Sequence, residues 1–383
     1  MSKHYCIFSA QYLPHMGGIE RYTYNIAKEL IRTGNQVTIV TNKTMESPTY
    51  EESEGIHIYR FSCFPLINGR FPIPKLNKSF RKIDQALKQQ HFDAVIINAR
   101  FYIHSLYAAH YAKKKKIPSI CIEHGTSHLS VHNPLFDACG GLYEHLHTKI
   151  LKHYCKNFYG VSKACCQWLK HFHINAKGVL YNAVDLSEIE ELKKKPTRDF
   201  KEECHIEDDS IIVTFTGRLL KEKGIYELID AVERINQDSI QLHLMLAGDG
   251  DEADYVNKHA SSYIHPLGRI SFHDIISLLE QSDIFCLPSF SEGFSTSALE
   301  AAACNCYIIT TERGGTKELV INKEYGIVMK HNSTENIYHA LSRAISSQEM
   351  RMKGCALCYS RLKDHFTWKK TVENLEKNVF KDE

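Results

Sequence analysis

Three short segments hold residue types that could bind and move a polar, anionic ligand. In Ser289-Phe290-Ser291-Glu292-Gly293-Phe294-Ser295-Thr296-Ser297-Ala298-Leu299-Glu300, Glu292 falls in a loop directly after the apolar run ending Leu287-Pro288. Gly293 gives the backbone room, Phe294 and Ser295 can open a helix with free amides, and Glu300 lies about one turn or more into it. Two carboxylates and a row of amides around one mouth suit the hydroxyls of a sugar and a ribose. A capping acid and an exposed helix residue are the plainer account of the same two glutamates. In Thr216-Gly217-Arg218-Leu219-Leu220-Lys221-Glu222-Lys223-Gly224, a forked donor at Arg218 and a point charge at Lys223 lie around one loop, suited to clamping a diphosphate. Two solvated cations would read the same way. Gly17 and Gly18, in Pro14-His15-Met16-Gly17-Gly18-Ile19-Glu20-Arg21, precede a helix whose N-terminus favours an anion, though a tight turn needs such glycines too.

These loops need a frame. Short apolar runs recur at Tyr5 to Ser9, Val37 to Thr41, Ala94 to Asn98, Ser119 to Glu123, Ile211 to Thr216, Gln241 to Ala247, Ile284 to Pro288 and Tyr307 to Thr310. Most are followed by segments of helical periodicity, such as Glu20 to Arg32 and Ile225 to Ile235. Repeated strand and helix predict α/β architecture, with parallel sheets covered on both faces. The series restarts near Ile211, after a polar stretch, Glu188 to Pro196, that reads as a surface helix and linker. The sequence therefore predicts two doubly wound domains of similar size, residues 1–185 and 186–365. Ligands of such sheets bind beyond the carboxyl ends of the strands, where the three segments lie.

The 383 residues suit two or three domains. No stretch approaches the ~18 consecutive apolar residues of a membrane span, and no signal-peptide core follows Met1-Ser2-Lys3-His4-Tyr5. The 13 cysteines are odd in number and sit mostly in apolar runs, which predicts buried thiols in a cytoplasmic protein. The net charge of +2 argues against nucleic acid as a partner. It hides an asymmetry: residues 1–185 carry 23 Lys+Arg and 12 Asp+Glu, a formal +11, and the remainder carries 24 and 33, a formal −9. The first half also holds 14 of the 22 histidines. Runs such as Lys113 to Lys116 and His145 to His153 are either solvated helix ends or the footprint of an anionic partner, for example a membrane surface.

Taken together, the glycine loop, the Gly-Arg…Lys-Gly loop and the Glu…Glu motif resemble the retaining nucleotide-sugar transferases of glycosyltransferase family 4, which have the GT-B fold. Glu123-His124-Gly125-Thr126, Tyr159-Gly160-Val161-Ser162, Tyr181-Asn182-Ala183-Val184-Asp185, Ala247-Gly248-Asp249-Gly250 and Leu267-Gly268-Arg269-Ile270 extend the likeness over nearly the whole chain. Asn-Ala-Val at 182–184 replaces the family's commoner Asn-Gly-Val, a change of turn rather than of chemistry. The resemblance implies two Rossmann-like domains facing a central cleft, with a last helix over 366–383 that returns to the first domain. It implies that Gly17 and Gly18 meet the donor pyrophosphate, that Arg218 and Lys223 clamp it, and that His124 lies near the donor sugar. Glu292, with the amides of Gly293, Phe294 and Ser295, would hold the transferred sugar; Glu300 would bind the ribose, and Ile270 would neighbour the base. The implied activity is hexosyl transfer from a UDP-sugar, or second to it GDP-mannose, to a glycan or polyprenyl-diphosphate-linked acceptor. No metal or other cofactor is expected, and the basic half is expected to meet the inner face of the cell membrane. A non-catalytic sugar-nucleotide-binding protein and an epimerase of related fold are the alternatives.

Four other patterns compete. Gly248-Asp249-Gly250-Asp251-Glu252-Ala253 fits a relaxed dinucleotide fingerprint, but no acidic residue closes a clear second strand ~20 residues later. Asp249-Gly250-Asp251 imitates a metal-binding Asp-x-Asp. His124, His128 and His132 have helical ligand spacing, although Gly125 and Asn133-Pro134 predict a loop. Cys355-Ala356-Leu357-Cys358 has redox spacing without a preceding strand, which predicts inert thiols.

Overall fold

The computed structural model describes residues 2–380 apart from 68, 129–133, 196 and 239–240. The chain forms two compact units, one of residues 1–182 with 368–383 and one of residues 183–367. The division falls three residues before the boundary read at 185, and the C-terminal segment joins the first unit from Trp368 rather than Phe366. Phe366 stays in the second unit, edge-on to Phe294 at 5.0 Å.

In the first unit nine strands form one sheet. From its edge the order is Tyr50–Ser53, Ile56–Leu66, Gln36–Lys43, His4–Ser9, Ala94–Asn98, Ser119–Glu123, Asn157–Gly160 and Gly178–Val179, with Phe71–Pro74 paired to Ile56–Leu66. The central strands are parallel. Cys6 and Phe8 alternate with Tyr5 and Ile7, and all four are fully buried because helices cover both faces. One face packs Phe8, Val95, Ile97, Cys121 and Phe158 against Ala108, Tyr111 and Leu151. On the other lie the helix Gly18–Arg32, through Tyr22, Ile26 and Leu30, and the C-terminal segment, whose Phe380 meets Tyr5 at 6.1 Å. Thr371 Oγ1 donates to Tyr181 O (2.9 Å) and Asn374 Nδ2 to Val179 O (2.9 Å), which seals the short edge strand.

The second unit holds a six-stranded parallel sheet in the order Ile264–Gly268, Leu242–Ala247, Ile211–Thr216, Ile284–Leu287, Tyr307–Thr311 and Gly326–Met329. The linker helix, Leu186–Lys193, is capped by Asp185, whose side chain accepts from Glu188 N. It packs on this unit through buried Ile189, and Lys193 Nζ donates to Ala303 O at 2.9 Å.

Both sheets reverse their strand order at the first strand of the unit. His4–Ser9 lies between Gln36–Lys43 and Ala94–Asn98, and Ile211–Thr216 lies between Leu242–Ala247 and Ile284–Leu287. A crevice opens outside the carboxyl end of such a strand because its two crossovers leave in opposite directions. The Gly17-Gly18 turn follows one of these strands, and the Arg218 loop follows the other.

Candidate active site

In the second unit, glycines bring three loops to the switch point. Gly217 (φ 149°) donates from its amide to Ala247 O at 3.0 Å, and Gly248 (φ 153°) lies so close to Gly217 O that a Cβ would collide with it. Leu219 N donates to Asp249 O (2.9 Å), Glu252 N donates to Leu219 O (2.9 Å), and Gly250 packs on Leu219 O. Gly248-Asp249-Gly250 is thus the brace under the Arg218 loop, and packing of backbone on backbone accounts for its glycines.

Gly224 (φ 72°) ends the single turn Lys221–Lys223 and presses on Pro288 O, which carries Lys223 to the loop after Ile284–Leu287. Phe290 N donates to Glu222 O at 2.8 Å. There Lys223 Nζ forms an ion pair with Glu292 Oε1, both side chains about one-sixth exposed. From the opposite side Gly315 N donates to Gly293 O (2.9 Å) and Thr311 Oγ1 to Ser289 O (2.6 Å), so Glu292 is held between two neighbouring loops. Ser295 caps the helix Thr296–Ala303, its hydroxyl accepting from Ala298 N. Glu300, one turn in, is 3% exposed rather than solvated, and Phe294 is buried. Arg218 is exposed, and its side chain makes no hydrogen bond or ion pair with the described residues. Ile270 packs beside the core of Phe200, Ile212, Met245 and Leu278. Lys223 is therefore already neutralised by Glu292, and Arg218 is a cation left open on the same loop.

In the first unit Gly17 is the N-cap of the helix Gly18–Arg32 and brings no side-chain cap. A Cβ at Gly17 would stand 2.6 Å from Glu20 Oε2, whereas one at Gly18 would meet nothing within 4 Å. Glu20 is buried in the first turn, 3.6 Å from His15 Nδ1, where a carboxylate complements the helix dipole.

His124 follows the strand Ser119–Glu123, and its protonation follows from a chain of hydrogen bonds. Thr23 Oγ1 gives its one proton to Ile19 O (2.8 Å), so it must accept from Asn98 Nδ2 (2.7 Å). That turns Asn98 Oδ1 toward His124 Nε2 (3.1 Å), which therefore carries the ring proton and leaves Nδ1 as an acceptor. Burial pushes the His124 pKa down to about 3, so the ring is neutral at physiological pH. Tyr22 stands edge-on to it at 4.8 Å, donates to Leu180 O (3.1 Å), and is backed by Trp368 at 5.2 Å. Asn98 and Tyr22 escaped the sequence reading. For Asn98 a signal existed: it is the polar residue that ends an apolar strand at the ligand-binding end of the sheet.

The loop itself is set by Glu123, whose Oε1 accepts from the amides of His124 (3.1 Å) and Gly125 (3.2 Å). Its Oε2 pairs with Arg100 Nε at 2.7 Å. Arg100, 1% exposed, also reaches Glu144 (2.7 Å) and Thr148 (3.0 Å) and lies over the Phe172 ring at 3.5 Å. Burial raises the Glu123 pKa and the Arg100 charge opposes it.

For the spacing His124, His128 and His132, the loop that Gly125 predicts holds over the described residues. His124 to His128 are in loop conformation, His124 faces Asn98, and His132 lies outside the described residues. His128 instead meets His145 and His171. Cys355 and Cys358 lie on the helix Gln348–His365, and burial pushes their thiols up to about 11 and about 12. Lys113 to Lys115 form the last turn of the helix Ile103–Lys115, where cations complement the dipole.

Residues 16–188 match the model described as Glycosyltransferase Family 4, and residues 196–354 match the model described as Glycosyl transferases group 1. An uncharacterized glycosyltransferase of Methanocaldococcus jannaschii is 27% identical, over 97% of this chain and 96% of its own. The phosphatidylinositol N-acetylglucosaminyltransferase GPI3 subunit of Saccharomyces cerevisiae is 23% identical, over 94% of this chain and 80% of its own. Among solved structures, Anabaena HepE in complex with UDP superposes with a TM-score of 0.72 at 17% identity, covering 98% of each chain.

Proposed function

The chain belongs to glycosyltransferase family 4 and has the GT-B fold, and from that premise we propose that it is a retaining transferase that moves a hexose-type unit from a UDP-sugar to a lipid-linked or glycan acceptor. The observation that carries this reading is the switch-point cluster in which Glu292 is held against Lys223 while Arg218 stands open. A bound diphosphate would draw on Arg218 and on Lys223, and Lys223 would then relax its hold on Glu292, freeing that carboxylate for sugar hydroxyls. GDP-mannose is the second choice of donor; the UDP seen with HepE supports the first.

In the reaction so read, the bond between the sugar's anomeric carbon and the diphosphate oxygen breaks as the acceptor oxygen bonds to the same face of that carbon. The acceptor proton passes to the departing phosphate oxygen. Charge builds on the diphosphate, and cations and amides fixed in advance stabilise it without reorganising. Neutral His124, with an acceptor nitrogen at Nδ1, would take a hydrogen bond from a donor-sugar hydroxyl rather than supply a proton. Glu292 and Glu300 are given binding roles on the sugar and the ribose, not the acid and nucleophile roles of a retaining hydrolase. No metal is needed in this scheme.

The lipid-linked acceptor draws support from the phosphatidylinositol acceptor named for the yeast relative and from the surface of the first unit. On the helix Pro134–Tyr154, Leu142, Leu146 and Ile150 are 63%, 56% and 50% exposed in one i, i+4 row beside exposed Lys149. Phe71 joins the strand Phe71–Pro74 to Tyr143 of this helix at 5.6 Å, and the neighbouring hairpin exposes Phe64, Leu66 and Ile67. No helix among the described residues is long and apolar enough to cross a membrane. A surface contact is therefore the reading, with net positive charge adding attraction to anionic lipid.

The test is a thermal-shift screen against nucleotide sugars, followed by product analysis of the anomer formed. UDP-hexoses should raise the melting temperature by mass action, and the transferred sugar should keep its anomeric configuration. Donor binding without turnover over a broad acceptor panel would defeat the enzymatic reading. Absence of binding to anionic vesicles at both low and high salt would defeat the membrane contact.

A further inference from the structure

Apart from the donor-binding residues, three imidazoles converge on the first unit. His128, in the loop four residues past His124, and His145, on the helix Pro134–Tyr154, each place Nε2 3.1 Å from His171 Nε2. His171 lies in the single turn Lys170–Phe172. The candidate ligand atoms of the three all lie within 4.8 Å of one another. From the geometry we infer that His128, His145 and His171 form a binding site for a borderline transition-metal cation, with Zn²⁺ the reference ion, that clips the His124 loop to the neighbouring helix.

The protons argue for it. A neutral ring nitrogen carries one proton or one lone pair, so His171 Nε2 can make one well-formed hydrogen bond. It has two imidazole nitrogens at hydrogen-bond distance, so its single proton or single lone pair serves one contact well and leaves the other incomplete. A cation at the common point satisfies three lone pairs at once. Zn–N bonds of about 2.0–2.1 Å at tetrahedral angles put ligand nitrogens roughly 3.3–3.4 Å apart, close to the two separations found. Exposed His145 can close the third side by rotating about its own side-chain bonds.

The surroundings fit as well. His128 Nδ1 lies 3.2 Å from Glu144 Oε2, which sets a carboxylate beside one ring nitrogen while Nε2 faces His171. Glu144 is in turn anchored by Arg100. Trp168 stacks on His171 at 4.8 Å with 9° between the planes, and Phe172 borders both His145 and His171, so the rings are oriented before any ion arrives. A purely imidazole donor set suits zinc, copper or nickel over magnesium or calcium, and three protein ligands leave a fourth position for water.

The test uses the full chain, stripped with a chelator and titrated with Zn²⁺ against a chromophoric competitor. One equivalent should bind tightly and raise the melting temperature. His145→Asn and His171→Asn, both at exposed positions, should each weaken that binding at least tenfold, while His153→Asn leaves it unchanged. Substitution with Co²⁺ gives a second readout: the visible bands of a tetrahedral site should appear in the parent and be lost in His171→Asn. Zn²⁺ binding no tighter than that of the triple variant His128→Asn/His145→Asn/His171→Asn would overturn the proposal. So would a single tight site that survives His171→Asn.

Discussion

Replacing Gly18 by alanine separates the two uses a glycine pair can have. Gly18 is the first residue of its helix, has no positive φ, and a Cβ there would meet nothing within 4 Å. Alanine costs the fold nothing at such a site. It removes freedom from the unfolded chain, which is worth about 0.4–1 kcal/mol of stability, or a rise of roughly 1–4 °C in melting temperature for a unit of this size. A donor diphosphate resting on the amides at this turn would meet the new methyl group instead. Loss of one charge-assisted hydrogen bond, roughly 1.5–3 kcal/mol, corresponds to about 10- to 150-fold in affinity. Gly17→Ala behaves differently, because its Cβ would stand 2.6 Å from buried Glu20 Oε2 and must displace it; such overpacking costs about 1–3 kcal/mol. Urea unfolding and calorimetric titration with the donor nucleotide measure both quantities on both variants. If Gly18→Ala binds the donor within about twofold of the parent, the glycines serve only the turn, and the phosphate role assigned to them is wrong.

The remaining predictions use the same separation. Arg218→Ala should leave stability within about 0.5 kcal/mol, because its exposed side chain makes no hydrogen bond or ion pair with the described residues. It should lower kcat/KM by a factor of about 10² to 10³, and full activity would remove Arg218 from the site. Arg100→Met should destabilise the protein by about 3–5 kcal/mol in urea unfolding, since it strands the buried carboxylates of Glu123 and Glu144; a loss below 1 kcal/mol would contradict the network. His104 and His147, pushed down to about 4 by burial, and His124 at about 3 refuse protons that the unfolded chain accepts near pH 6.5. The unfolded state binds more protons, so stability falls as pH falls from about 6.5 toward 4, by roughly 1.4 kcal/mol per pH unit for each ring. Equal unfolding midpoints at pH 7 and pH 5 would refute this. Because His124 stays neutral above pH 4, kcat/KM should show no acidic limb near pH 6.5 that His124→Gln abolishes.

The central strands were legible because they are buried on both faces and read as unbroken apolar runs. Ala94–Asn98, Ser119–Glu123 and Ile211–Thr216 lie where the sequence puts them, and the others shift by one or two residues. The sequence reading misses Ile56–Leu66, where apolar residues alternate with His57, Tyr59 and Ser62 and where Arg60 is buried against Glu51. Such a half-buried strand near a sheet edge has no continuous apolar signature. Short edge pieces such as Gly178–Val179 and Gly326–Met329 are set by the partner strand rather than by their own residues. At the site, the loop motifs are local and could be read, down to the glycines that let loops touch. The partners of His124 could not: Asn98 is 26 residues away and Thr23 lies 75 residues from Asn98, so the tautomer depends on chain crossings that no spacing records. The imidazole cluster was missed for the same reason, since local helical spacing pointed to His132 while folding brings His145 and His171.

The first unit is discontinuous, and that has a consequence for the order in which a nascent chain becomes competent. Trp368, which backs Tyr22 and through it His124, is separated from the rest of its unit by the 185 residues of 183–367. At translation rates of about 5–20 residues per second, that stretch takes roughly 10–40 s to synthesise. During that time the first sheet can form, but the faces of Tyr5 and Tyr22 that the C-terminal segment covers remain open. The ribosome thus releases a second unit that can close on its own contiguous sequence before the first can finish. Exposure of that apolar strip to chaperones or to premature aggregation is built into the connectivity, and a shortened C-terminus would make it permanent.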